Sequence, residues 1–339
     1  MEFAQKIGND DSAALRIGPL RLDGRVMLAP MSGVTDVGMR RIARRFGATL
    51  VVTEMVASET YLAGETESVL RAEGQGVAPH VVQLVGRDPE AMGLAAQRAE
   101  QAGADIIDIN MGCPAKRVAG GLAGSALMRD LDHALRIVDA VVGAVDVPVT
   151  LKMRLGWDEN NLNAAELARR AEAAGVALVS VHGRTRCQFY AGRADWAAVR
   201  AVVDAIAIPV VVNGDCADLD DAKVMLALSG AKAVMVGRAS VGAPWLAGEI
   251  SRALAAEAPL GQPAQSARRE AALEHFDALL GLFGRHAGLR HARKHLSAYA
   301  EKAGAASAHR LALVTSEDAN VARRLLAEAF DQSELGAAA

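Results

Sequence analysis

The chain is poor in cysteine, lacks any long uncharged apolar run and carries no excess of one charge. Three cysteines, Cys113, Cys187 and Cys216, occur in 339 residues, and no two stand in C-x-x-C spacing. That excludes the common zinc and redox-pair motifs and argues against a disulfide framework. A reducing cytoplasm is the compartment it predicts. No stretch reaches the ~18 uncharged apolar residues of a membrane span, so no membrane partner is expected. Residues 1–14 carry Glu2, Asp10 and Asp11 without an apolar core, so they read as a polar tail and not as a signal peptide. The net charge is -3, which leaves any nucleic-acid contact to a local patch. A Rossmann fingerprint is missing: Gly74-Gln75-Gly76 has no third glycine and opens no helix after a strand. No helix-borne histidine pair points to a metal. A metal on His182, Asp215 and Cys113 is a weak alternative, and none is expected.

What the chain does have is eight short apolar runs: Val26–Pro30, Leu50–Thr53, Val81–Leu84, Ile106–Asn110, Val147–Lys152, Leu178–His182, Ile208–Asn213 and Ala233–Arg238. They are rich in Val and Ile and continuous, as parallel strands buried on both faces read. Helix-length stretches lie between them, among them Asp36–Phe46, Pro89–Ala102, Ala164–Ala174 and Leu219–Leu228, each stopping near a glycine. The pattern predicts an α/β fold, a (β/α)8 TIM barrel over residues 15–254. Leu15–Arg25, with Gly18-Pro19 and Asp23-Gly24, predicts a hairpin closing the barrel floor. Residues 255–265 read as a Pro/Gly linker. The rest, 266–339, predicts a small all-helical C-terminal domain of three helices, Ser266–Gly284, Leu289–Ala303 and Val314–Leu335. Residues 261–310 hold eight Lys/Arg against four acids and five of the eight histidines, a local charge of +4 in an acidic molecule.

In such barrels the strand C-termini form the active site. Gly112 and Pro114 shape a loop after the fourth run that presents Cys113, which is either a buried inert thiol or a proton donor. Lys152 and Arg154 alternate and point inward if their strand reaches Arg154. They meet either an internal carboxylate, with Glu54 as a plausible partner for Lys152, or an anionic cofactor. Gly237 and Arg238, with Asn213, Gly214 and Asp215, end the last two runs, where barrels most often bind phosphate. His182 and Arg184 end the sixth, and Gln83 offers both a donor and an acceptor to a planar heterocycle. Pro30, Met31 and Ser32 end the first, where Met31 is core filler or cofactor shelf. Arg290, Arg293 and Lys294 share a helix face by i, i+3, i+4 spacing, as a solvated stripe or an RNA contact.

Taken together, the motifs resemble the tRNA-dihydrouridine synthases, most closely the bacterial B-type subgroup. The matching pieces are Leu28–Asp36, Gln83–Gly86, Asp108–Lys116, Leu151–Trp157, His182–Arg186, Asn213–Asp215, Val236–Arg238 and Arg293–Leu296, spread over about residues 20–310. The resemblance implies FMN across the barrel mouth, held by Pro30, Met31, Ser32, Gln83, Lys152, His182, Asn213, Gly214, Asp215, Gly237 and Arg238. It implies Cys113 as proton donor, NADPH as reductant, and tRNA as substrate, at a D-loop uridine resembling position 17. Substrate contacts would come from Asn110, Lys116, Arg117, Arg154 and Arg184, with Arg290, Arg293 and Lys294 on the helical domain. The chain departs from the family pattern at Gly304–Ala308, where members often carry a more aromatic segment. The implied reaction places hydride on uracil C6 and a proton on C5, with the base out of its stack. Two other readings remain at this point: a flavin barrel acting on a small free pyrimidine or enone, and a non-enzymatic RNA-binding protein on a degenerate barrel.

Overall fold

The computed structural model describes residues 15–256 and 258–337, so the polar segment 1–14 lies outside the described residues. Strands β1 (Leu15–Ile17) and β2 (Leu20–Leu22) form the expected antiparallel hairpin. Leu15, Ile17 and Leu22 are buried in one cluster with Met27, Leu50, Val81, Ile106, Leu178, Val211 and Ala233, which begin or lie near the start of their strands. The hairpin therefore plugs the N-terminal floor and leaves the opposite end open for chemistry.

The parallel strands are β3 (Val26–Leu28), β4 (Leu50–Val51), β5 (Val56–Ala57), β6 (Val81–Val85), β7 (Ile106–Met111), β8 (Val149–Arg154), β9 (Leu178–His182), β10 (Val210–Asn213) and β11 (Ala233–Val236). Their order is β4-β3-β11-β10-β9-β8-β7-β6-β5, and a Val52–Val81 bridge closes the ring between β4 and β6. Eight strand positions result, because β4 and β5 share the second one. The extra strand β5 is only two residues long, which is why its run carried no pattern. Between them Thr53 and Glu54 are buried, and Thr53 Oγ1 accepts from the Gln83 N–H at 2.9 Å. Strands β7 and β8 are buried at every position, their apolar residues alternating with the polar Asp108, Asn110, Thr150, Lys152 and Arg154 that build the site.

Aspartates start several of the barrel helices. Asp36, Asp88, Asp130 and Asp218 each accept a backbone N–H from the first turn. Leu219–Ser229 ends at Gly230 with φ 69°, a left-handed cap that a Cβ would strain. The C-terminal segment has four helices where three were expected: Gln265–Phe283, Arg285–Lys302, Ser307–Thr315 and Ala319–Ala337. The second begins directly after Gly284, and the third hides behind the small residues Gly304–Ala306, which read as a break. Its core is continuous with the barrel's outer layer, since Phe276, Leu289, Leu296, Tyr299, Leu313, Leu326 and Phe330 cluster with Ile42, Ala243 and Trp245. Among the described residues, no helix is long and apolar enough to cross a membrane.

The helix Leu246–Ala256 packs tightly on the end of Val37–Arg45. A Cβ at Gly248 would lie 1.9 Å from the Phe46 carbonyl oxygen. Backbone cannot retreat as a flexible side chain can, so Gly248→Ala should cost about 1–3 kcal/mol by overpacking. A thermal melt at the wild-type midpoint would refute this.

Candidate active site

The loop after β7 is shaped by its own side chains. Asn110 Oδ1 accepts from the Gly112 and Cys113 N–H groups at 3.0 and 2.9 Å, and Ser125 Oγ donates to the Cys113 carbonyl at 2.8 Å. The thiol is thus presented half-buried on a loop that these bonds hold. Burial pushes its pKa up, against the Ala115 backbone and the charges of Arg154 and Lys152. At neutral pH it keeps its proton, as a donor must.

Asn110 and Gln83 belong to a buried chain. Asn110 Nδ2 donates to Gln83 Oε1 at 2.8 Å, Gln83 Nε2 to Asp108 Oδ2 at 2.6 Å, and Thr150 Oγ1 to Asp108 Oδ1 at 2.6 Å. Asp108 and Thr150, absent from the sequence-based set, orient both amides. Lys152 is buried beside them and donates to Asn213 Oδ1 at 3.0 Å, while Asn213 Nδ2 donates to the Met235 carbonyl. Burial, then the Arg154 charge, lowers the lysine to about 8. Among the described residues no carboxylate oxygen forms an ion pair with it, though the buried Asp108 nearby favours its charge. Glu54, the partner considered from sequence, instead accepts the Gly33 N–H and lies 3.7 Å from Arg71.

Across the mouth, register sets His182 beside Arg154 and Asn213. Burial, followed by Lys152, Arg154, Arg184 and Arg238, drives His182 down to about 2, so the imidazole is neutral. Arg154 is buried. It donates from Nε to the Gly112 carbonyl and from Nη1 to Thr185 and Phe189 carbonyls, which leaves Nη2 uncommitted.

Two of the expected site residues pair with each other. Arg184, expected to touch substrate, is 1% exposed, and its nitrogens are spent on Asp215, His182 and the carbonyls of Ala191 and Gly192. It is a structural brace. Asp215, expected to bind cofactor, accepts from Arg184, from the Ala194 N–H and from Arg238 Nη2 at 2.9 Å. Burial alone would raise its pKa, but these bonds and charges hold it below the usual carboxylate range. It aims Arg238, which is 63% exposed at its side chain. Gly237 has open space: a Cβ there would meet nothing nearer than Ala29 at 3.8 Å and Met31 Sδ at 3.9 Å. His182, Asp215 and Cys113 do not gather as metal ligands. Among the described residues only Asp36, His275 and His295 come within such distance.

A model of the dihydrouridine synthase family matches residues 27–334 of this chain. The chain belongs to the dihydrouridine synthase family. Among similar proteins is one from Rhodobacter capsulatus named probable tRNA-dihydrouridine synthase, 52% identical over 94% of this chain and 99% of its own. Another, from Xanthomonas campestris pv. campestris and named tRNA-dihydrouridine synthase B, is 45% identical over 85% of this chain and 87% of its own. A solved 2-naphthoyl-CoA reductase shares the fold at a TM-score of 0.57 and 12% identity, over 95% of this chain and 69% of that one.

As a dihydrouridine synthase, the chain also carries features at the mouth that its motifs did not flag. Tyr190, one of only three tyrosines, is 55% exposed between Arg154 and Arg238, whose guanidinium carbons lie 5.6 and 5.3 Å from the ring centre. Its rarity was the available signal. Pro30 and Met31 are half-buried and Ser32 exposed; Lys116 and Arg117 are exposed on the short helix Lys116–Ala119. On the helix Arg285–Lys302, Arg290, Arg293 and Lys294 are all exposed. Lys294 differs from the other two, because its Nζ sits over Gly33 at the barrel mouth.

Proposed function

We propose that the protein is a cytoplasmic tRNA-dihydrouridine synthase that uses FMN with NADPH as reductant and acts on a D-loop uridine, position 17 by its B-type likeness. The observation that carries this reading is a protonated thiol, Cys113, sharing one mouth with more cation than carboxylate: Lys152, Arg154 and Arg238 against the already committed Asp215. A buried ammonium whose carboxylate neighbour, Asp108, is already bonded to Gln83 and Thr150 gains from an arriving anion. The open space at Gly237 beside Arg238 suits a phosphate. Pro30, Met31, Ser32, Gln83, Lys152, His182, Asn213, Gly214, Gly237 and Arg238 would hold the flavin. When bound, FMN supplies the hydride for uracil C6.

The chain's own residues complete the reaction. Cys113 gives its proton to C5, and Asn110, fixed by Gln83, orients the uracil edge. Arg154, itself buried, braces the loops under the substrate through the Gly112, Thr185 and Phe189 carbonyls. The uridine must leave its stack to reach this depth, and Lys116 and Arg117 on the rim can take the flanking phosphates. The helical domain over 266–339 docks the tRNA through its basic face. The test is anaerobic: NADPH should bleach the FMN-loaded protein, and unmodified tRNA should restore its yellow colour. Colour that returns only with a free pyrimidine would refute it.

Arg290→Glu combined with Arg293→Glu should weaken tRNA binding and flatten its salt dependence by roughly 0.7–0.9 in log–log slope per lost phosphate contact. Bleaching by NADPH should be unaffected. Titrations at two salt concentrations check this, and unchanged affinity at low salt would exclude that face as the dock.

A further inference from the structure

A cluster of four polar groups is buried where the helical tail meets the barrel, outside the reaction machinery. Asp36 is its centre. Its Oδ1 accepts the Gly38 and Met39 N–H groups as helix cap, and its Oδ2 lies 2.9 Å from His275 Nε2 and 4.0 Å from His295 Nε2. His275 Nδ1 lies 2.9 Å from the Tyr299 hydroxyl, and the two imidazoles meet edge to face at 4.5 Å. All four residues are buried, His275 completely. His275, His295 and Tyr299 come from the tail, and Asp36 from the barrel. A carboxylate here would be driven neutral by burial, but the two histidines and the cap hold it at about 2.

The cluster reaches the mouth through three residues. The His295 ring lies against the Gly33 backbone, and Glu54 Oε2 accepts the Gly33 N–H at 2.5 Å. Gly33 has φ +71°, and a Cβ there would lie 2.7 Å from Lys294 Nζ, so the tail also roofs it. Gly33 belongs to a turn that closes on itself. Val34 and Thr35 N–H groups donate to the Met31 carbonyl, and the Met31 N–H donates to Thr35 Oγ1 at 3.0 Å. Fixing Gly33 and Asp36 therefore fixes Met31, whose Sδ borders the space at Gly237.

We propose that His275, His295 and Tyr299 are positioning residues for the cofactor: the tail holds the Met31–Asp36 turn in its binding shape, so flavin affinity depends on side chains that never touch flavin. This rests on the flavin reading above. A turn left mobile must be ordered when ligand binds, and that ordering subtracts from affinity.

The experiment uses the full chain with His295→Ala, His295→Gln and wild type, and reads two quantities. The first is the FMN dissociation constant by fluorescence quenching. The second is hydrogen–deuterium exchange of the Met31, Val34 and Thr35 amides without flavin. His295→Ala should weaken FMN about tenfold, through the order that the lost buried contacts impose on the turn. It should also speed exchange at the three amides, and His295→Gln, which restores a side-chain N–H, should recover part of both. Unchanged affinity and exchange in a folded His295→Ala protein would overturn the proposal. If that variant does not fold, Tyr299→Phe, which removes only the hydroxyl from His275, is read with the same two outcomes. If wild type binds no FMN, the flavin reading fails, and exchange alone then decides whether the tail orders the turn.

Discussion

Cys113→Ala should lower dihydrouridine formation by about 10²–10⁴-fold, the usual worth of a positioned general acid, while FMN binding and bleaching by NADPH stay at wild-type levels. The separation follows from how the loop is built. Asn110 and Ser125 brace the backbone at Gly112 and Cys113, so removing the sulfur leaves the turn in place. The cations and the imidazole at the mouth are less well suited: His182 is held neutral by burial and four surrounding cations, Arg154 is bonded to three carbonyls, and Lys152, although lowered to about 8, is buried and donates to Asn213. The pH profile carries the same sign. The thiol donates while protonated, its pKa is raised, and activity should persist above the ordinary thiol range before falling. Nucleoside mass spectrometry after single turnover checks the rate. Wild-type turnover in the variant would remove Cys113 from the mechanism.

Lys152→Met should weaken FMN binding or slow its reduction by about 10²–10³-fold, the size of a lost preorganised charge, and yet leave the flavin-free protein at least as stable. The two outcomes point in opposite directions for one reason. A buried ammonium whose direct acceptor is the neutral Asn213, with Asp108 near but not ion-paired, is a net cost to folding, and an apolar chain of similar shape often removes that cost. Burial and the Arg154 charge already depress the lysine to about 8, so an arriving anion restores its charge. Flavin affinity should accordingly drop as pH rises through that value. Stopped-flow reduction and a flavin-free melt measure both arms. Normal binding and reduction, or a large loss of flavin-free stability, would make Lys152 structural.

The barrel was legible because strands buried on both faces are mostly apolar, and runs such as Val81–Leu84 and Ala233–Val236 keep that character with at most one polar residue, while Thr150, Lys152, Arg154 and His182, polar residues of Val149–Arg154 and Leu178–His182, belong to the site. The two-residue β5 carried too little pattern to see, and Ser307–Thr315 lay behind small residues that read as a loop. The site was legible where chemistry needs a rare group at a strand end, as at Cys113 and Lys152. It was silent on the Arg184–Asp215 pair, because sequence shows which charges reach the mouth but not which neutralise one another first. The Asp36–His275 contact joins residues 239 positions apart, beyond any local spacing rule. Only packing the tail onto the barrel brings them together.

The most direct measurement incubates the purified protein with FMN, NADPH and an unmodified tRNA transcript and maps dihydrouridine nucleotide by nucleotide. The account expects one new dihydrouridine in the D-loop, at position 17, absent with the Cys113→Ala protein. No dihydrouridine from flavin-loaded wild-type protein, or equal product from the alanine variant, would contradict it.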